Sequence, residues 1–550
     1  MSRSLTAETV LTGCALAGGS AGERVSVAIW NGRIGFVGRE DDVRAMIGTD
    51  TVVYDARGRV VAPGFIDSHT HFHRASVMED LYLNFAALAP RSLDDVLHLV
   101  RERAQATPAD EWVQGDSLES SRLREKRLPT RNELDAVAPG RCVVLRTVGR
   151  HGLAASSAAL DAAGIDTTTQ APPGGRIERD PDGRPNGILH EHGKLRLDMT
   201  RGDTVVPKPS TDQRRRALEA GMTRLAAHGI TAIHDIVREP VEIADYIDLD
   251  VSGRLRVRIR MYVRGRESQT PLEYLAGLGL RAGFGSERLR LAGVKVSIDG
   301  DLVSRNSAVY EPYPGEPDNR GLLRLTQAEL DEAVARSHDA MLPVAVHAIG
   351  PRAVDMALDA IERAQERTPQ HRLNHRIEHA FFDQREARLK RFAELGVVWS
   401  TQPSMLFSTG DGWLAAAGAD FLDGVLPLRT ALGLGVAVQI NSDYPCSPLD
   451  PFVGLRACVD RTTRDGVVLA GEEAITAEEA LGLMSAAPAA TVGEQSSGGS
   501  LAVGCWADVI VLSPDPSVAD REDVLGMQVD ATFVGGQLVW ERCGTDPSQG

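Results

Sequence analysis

The chain has 550 residues, 43% hydrophobic and 25% charged, the balance of a globular protein with ample apolar material for a large core. Its 60 basic and 76 acidic residues leave a formal net charge of −16, which argues against nucleic-acid or anionic-membrane partners, since both need a basic face. Six scattered cysteines (Cys14, Cys142, Cys446, Cys458, Cys505, Cys543) with no CxxC pair make a disulfide scaffold or a thiolate zinc site a poor reading.

The N-terminus has one early Arg and a broken apolar stretch, weak for a signal peptide, and no apolar run reaches the roughly 18 residues of a membrane span. A cytoplasmic protein with no membrane partner is expected. Apolar segments at 25–30 and 33–38 flank Asn31-Gly32, the signal of a type I′ hairpin. A second hairpin at 531–534 and 537–540 flanks Gly535-Gly536, after a predicted strand at 507–512. One small β domain built from both ends is expected, with two separate hairpins as the alternative.

Between the ends run apolar β-rich segments at 60–66, 229–234, 255–263, 289–298, 342–347, 375–379, 396–401 and 435–441. Their near-continuous Val/Ile/Ala content predicts strands buried on both faces of a parallel sheet. Segments 327–340, 353–365 and 383–395 have apolar spacing near 3.6 and read as crossover helices. Eight such strands predict an α/β fold, a (β/α)8 TIM barrel; a doubly wound open sheet is the rival. The long gap after the first strand, 76–204, reads as an inserted subdomain over the barrel's C-terminal face. The expected division is a terminal β-sandwich (1–62 with 490–550), a barrel (63–75 with 205–489) and the insert.

The strongest local signal is Asp67-Ser-His69-Thr-His71. Residues i and i+2 of a strand share a side, so His69 and His71 can hold one ion together. His73 continues the alternation further out. His347, His379 and Asp443 each fall at the C-terminal end of a predicted strand, the face that carries the HxH. Imidazoles plus a carboxylate without thiolates suit a catalytic zinc or similar divalent ion. Lys295 lies inside an apolar strand, where burial penalises an ammonium. It either pairs with a carboxylate such as Asp299, or its lowered pKa lets the amine add carbon dioxide as a carbamate, an anionic ligand able to bridge two ions.

With these residues in hand, the chain resembles the amidohydrolase superfamily, in the amidohydrolase-3 branch that includes N-substituted formamide deformylase. The resemblance covers nearly the whole chain: APGFIDSHTH, LPTRNELDAVAPGRCVVLRTVGRH, GGRIERDPDGRPNGIL, VKVSIDG, VHAIGPRAVDMALDAIE, RIEHA, NSDYP and GSLAVGCWADVIVLSPDP, in that order. It implies that His69, His71, Lys295, His347, His379 and Asp443 form the metal site, with a carbamate on Lys295 and one or two ions, two favoured. It implies a metal-dependent hydrolase cleaving a non-peptide C–N bond, amide or N-formyl, of a small molecule, with Asp443 as proton shuttle. The same site on an ester, lactone or cyclic imide is the alternative, and a non-catalytic binding scaffold the minor one. His151, His234 and Arg305 are the candidate substrate contacts, and a homo-oligomer is compatible. Departures from the branch pattern at Arg150, Ser156, Pro351 and Leu118 leave specificity open.

Overall fold

The computed structural model describes residues 6–17, 24–147, 151–199, 203–264, 271–513 and 526–542. Eight strands pair in parallel in sequence order: β1 (Phe65–Thr70), β2 (Ile230–Val237), β3 (Arg258–Val263), β4 (Leu289–Ser297), β5 (Val344–Ala348), β6 (Arg376–His379), β7 (Val398–Thr401) and β8 (Val438–Ile440). Every residue of β2 and β3 is buried, as a sheet covered on both faces requires. Past the end of β8 the chain returns to β1. Asp443 N–H donates to the His69 carbonyl (2.9 Å) and His71 N–H to the Tyr444 carbonyl (2.8 Å). The barrel is thereby nearly closed, and its seam runs through the HxH segment itself.

Helices fill the crossovers where the periodicity changes to 3.6. Gln327–Asp339 starts at a Thr326/Glu329 capping box, Pro351–Arg367 follows Gly350 with proline at its first turn, and Glu386–Leu395 stops at Gly396 in the left-handed region (φ 63°). The apolar run at 60–66 is not one strand. It divides at Gly64, whose N–H donates to the Asp508 carbonyl (2.9 Å): Val60–Pro63 joins the terminal sheet and only Phe65 onward enters the barrel. A Cβ at Gly64 would lie 2.2 Å from the Thr231 side chain, so the crossing from sheet to barrel needs glycine there.

The terminal sheet has eight strands drawn from both ends of the chain. Both terminal hairpins turn with positive φ at the two central residues, Asn31 and Gly32 (47° and 69°) and Gly535 and Gly536 (59° and 74°), the type I′ geometry. Arg258 of β3 is held to Asp508, which directly precedes a strand of this sheet, by two hydrogen bonds (2.6 and 3.0 Å). Arg260 and Arg290 converge on Glu494 (2.9 and 2.8 Å).

Met1–His73 with Gly221–Gly550 form one compact unit and Arg74–Ala220 another. The second unit has its own six-stranded sheet, which a sequence reading limited to helices and a polar Gly/Pro segment does not anticipate. Part of that segment, Gly175–Arg179, is a strand paired antiparallel with Pro185–Glu191. Two apolar clusters, around Val96, Leu134 and Leu145 and around Leu153, Leu160 and Leu189, pack the unit internally. Among the described residues, no helix is long and apolar enough to cross a membrane.

Candidate metal centre

Three residues at the barrel seam supply donor atoms that all lie within 4.8 Å of one another: His69, His71 and Asp443. His69 is inside β1 and His71 one residue past its end, so the strand's alternation brings both rings toward Asp443. Each Nε2 is 3.4 Å from Asp443 Oδ1. Asp443 reaches this position with a left-handed backbone (φ 54°), held by its N–H bond to His69 and its carbonyl's acceptance from Cys446 N–H (2.7 Å). Burial alone would raise the Asp443 carboxyl. The surrounding imidazoles of His69, His379 and His71 override it and hold the group well below the usual carboxylate range.

His379 and His347 extend the cluster. Their ring centroids are 4.5 Å apart, and His379 is 5.4 Å from His69. His379 also adopts a left-handed backbone (φ 74°), and its carbonyl accepts from both Trp399 Nε1 (2.9 Å) and Thr401 Oγ1 (2.8 Å). Its Nδ1 meets Gln402 Oε1 at 2.9 Å, and Gln402 in turn donates to Asn441 (2.7 Å). His347 Nε2 is 3.3 Å from the Gly300 carbonyl. Burial lowers the pKa of His69 to about 3 and lowers those of His347 and His379, so all three are neutral donors at pH 7.

Lys295 is buried in β4 and its Nζ makes no hydrogen bond. Burial pulls its ammonium down to about 7 against the opposing charges of Glu378 and Asp443. Asp299 is not its partner, because that carboxylate accepts from the N–H groups of Ala308, Ile349 and Gly350 (3.0, 3.0 and 2.8 Å). Asp443 Oδ1 likewise makes no hydrogen bond. Buried polar atoms are almost always partnered, so an orphaned carboxylate oxygen beside two imidazoles and an orphaned amine is the donor set a divalent cation fits.

The other residues singled out by sequence lie in different settings. His73 Nε2 is 3.0 Å from Asp245, inside the unit and outside the donor cluster. His234 is buried with Nδ1 accepting from Arg376 (3.0 Å). Arg305 pairs with Glu316, and His151, exposed in the second unit, contacts Glu191 at 2.8 Å. Arg150 lies outside the described residues. Sequence reasoning missed Glu378, whereas Asp235 falls with His234 at the end of a predicted strand on the face of the site, where a supporting role is expected. Asp235 accepts from Thr70 Oγ1 (3.1 Å) and Phe72 N–H (2.6 Å), pinning the HxH segment.

An eight-stranded parallel α/β barrel with a His/Asp donor cluster where β1 meets the end of β8 defines the class of metal-dependent hydrolases. Within that class, the chain belongs to the amidohydrolase family, whose model matches residues 52–540. It is 30% identical over 522 residues to N-substituted formamide deformylase from Arthrobacter pascens, covering 94% of this chain and 95% of that protein. A metal-dependent hydrolase from Pyrococcus furiosus superposes with a TM-score of 0.73 at 26% identity, over 92% of this chain and 99% of that one. Another, from Pyrococcus horikoshii, shares the fold with a TM-score of 0.74 at 22% identity, over 94% and 99%.

Proposed function

We propose that the chain hydrolyses a non-peptide C–N bond, amide or N-formyl, of a small molecule. The observation that carries this reading is the His69/His71/Asp443 cluster with its orphaned carboxylate oxygen. The likeness to a formamide deformylase along nearly the full length of both chains supports the bond type. In this reading His69, His71 and Asp443 hold a divalent cation, zinc by donor chemistry. His347, His379 and Lys295 complete a site for one or two ions, two favoured. When bound, such an ion lowers the pKa of water toward 7 and polarises a carbonyl.

The chain's own residues supply the rest. Lys295, unpaired and near neutrality in pKa, adds its amine nitrogen to carbon dioxide and releases a proton, becoming an anionic carbamate. That converts a costly buried ammonium into an oxygen ligand. Asp443, ionised well below its usual pKa, takes a proton from the attacking water and returns it to the leaving nitrogen. An amide needs that second step because an amide anion is a very poor leaving group. The terminal domain is proposed to be a β-sandwich (1–62 with 490–550), supported by one buried cluster that joins Leu11, Val27 and Val61 to Val509 and Phe533.

The test is a substrate panel on metal-replete protein, reading amine release from N-formyl and N-acyl compounds against acid release from esters, lactones and cyclic imides. Faster turnover of the C–N substrates is expected. Turnover confined to esters or lactones would reassign the bond, and no turnover of any carbonyl substrate would remove the hydrolase reading.

A further inference from the structure

Glu378 takes no part in the chemistry above, yet it is a fully buried carboxylate inside the barrel. Its Oε1 lies 2.6 Å from Arg376 Nε and its Oε2 2.8 Å from His69 Nδ1. A buried charge without compensation costs several kcal/mol, so the position of this carboxylate is set by what it meets. Arg376 is itself fixed from two other strands: its guanidinium lies 3.9 Å over the Tyr262 ring of β3, and it donates to His234 of β2. The chain of contacts therefore runs from β2 and β3, through β6, to a histidine of β1. It meets that histidine on Nδ1, while Nε2 is the nitrogen near Asp443. An imidazole that gives its Nδ1 proton to a carboxylate keeps a lone pair on Nε2, the form that binds a cation.

We propose that Glu378 is the positioning residue of His69. Its Oε2 packs against Nδ1 and fixes the ring's orientation so that Nε2 is presented toward Asp443, while Arg376 holds the carboxylate in place. His379 has a neutral counterpart of this arrangement in Gln402, whose Oε1 meets its Nδ1 at 2.9 Å. The proposal rests on the metal reading above.

The experiment is a zinc(II) titration against a chromophoric chelator on four proteins: the unaltered chain, Glu378→Gln, His69→Ala and the double variant. Glu378→Gln is expected to weaken zinc binding by about 10–100-fold, and to cause no further loss once His69 is already Ala. A merely structural carboxylate would cost the same factor in both backgrounds, and that result, or unchanged zinc affinity, overturns the proposal. Should Glu378→Gln leave Arg376 uncompensated and fail to fold, Arg376→Met combined with Glu378→Gln removes both charges and is read the same way. Failure of the unaltered chain to bind zinc would overturn the metal reading, and this proposal with it.

Discussion

Two groups of histidines lie in the barrel unit, at opposite ends of its strands. At the start of β5 and β6, His375 Nδ1 accepts from Val344 N–H (3.1 Å), which leaves the proton on Nε2 to meet His338 Nδ1 at 2.8 Å. His338 Nε2 then donates to the Thr368 carbonyl at 3.1 Å, and His371 Nδ1 is 3.0 Å from the His338 carbonyl. Both ring nitrogens of both buried histidines are partnered by the protein. At the other end, His69, His71, His347 and His379 surround a carboxylate oxygen and an amine that make no hydrogen bond. Residue type is alike in the two groups, and each has two buried histidines, His338 and His375 in the first and His69 and His379 in the second. The difference is satisfaction: the first is a finished hydrogen-bond chain, the second a set of donors completed only by a ligand.

Removing the central carboxylate should break the comparison most severely. Asp443→Asn is expected to lower kcat by about 100- to 10,000-fold, the range of general acid–base catalysis, while bound metal persists. Steady-state kinetics beside elemental analysis checks both halves, and undiminished kcat would remove Asp443 as the shuttle. Next, Lys295→Ala should reduce metal content from about two ions per chain to one or none, because a bridging anion is lost. Unchanged stoichiometry would return Lys295 to a structural role.

At the finished cluster the expected effects are on stability. His338→Leu leaves the His375 Nε2–H without a partner and takes one of two donors from the Thr368 carbonyl, which keeps the His371 N–H (3.1 Å), a cost of about 1–3 kcal/mol, with metal content unchanged. Denaturant unfolding of chelator-treated protein measures it. The smallest effect is the pH slope. Burial, reinforced by the neighbouring His338, lowers His375 to about 3, while an unfolded histidine titrates near 6.5. The unfolded chain therefore binds more protons between those values. The contribution to stability is full above pH about 6.5 and is lost as pH falls toward 3. A His338→Leu/His375→Leu variant should show a shallower acid decline in Tm, and an identical decline would mean that the pair does not titrate on unfolding.

The strand ends that carry His347, His379 and Asp443 were legible in the sequence because each closes an apolar run, and periodicity alone located the crossover helices. The run at 60–66 misled because Val-Val-Ala-Pro and Phe-Ile are equally apolar on both sides of Gly64, and only the close approach of Thr231 shows where the chain leaves one sheet for another. Arg376 and Glu378 were illegible for the opposite reason. Charged residues alternating with Ile377 and His379 in a strand expected to be buried carry no sign of what compensates them, whereas here they neutralise each other inside the barrel. In the second unit, strands such as Val113–Leu118 carry Gln, Gly, Asp and Ser, so nothing in their pattern separated them from loop.

The central claim, that the unsatisfied cluster is a metal centre, is met most directly by metal content per chain. It is measured by elemental analysis on protein purified without chelators. The account predicts about two zinc-like ions per chain, held by the His69 cluster and absent from the His338 cluster. Protein that holds no metal, and gains none on reconstitution, would contradict it.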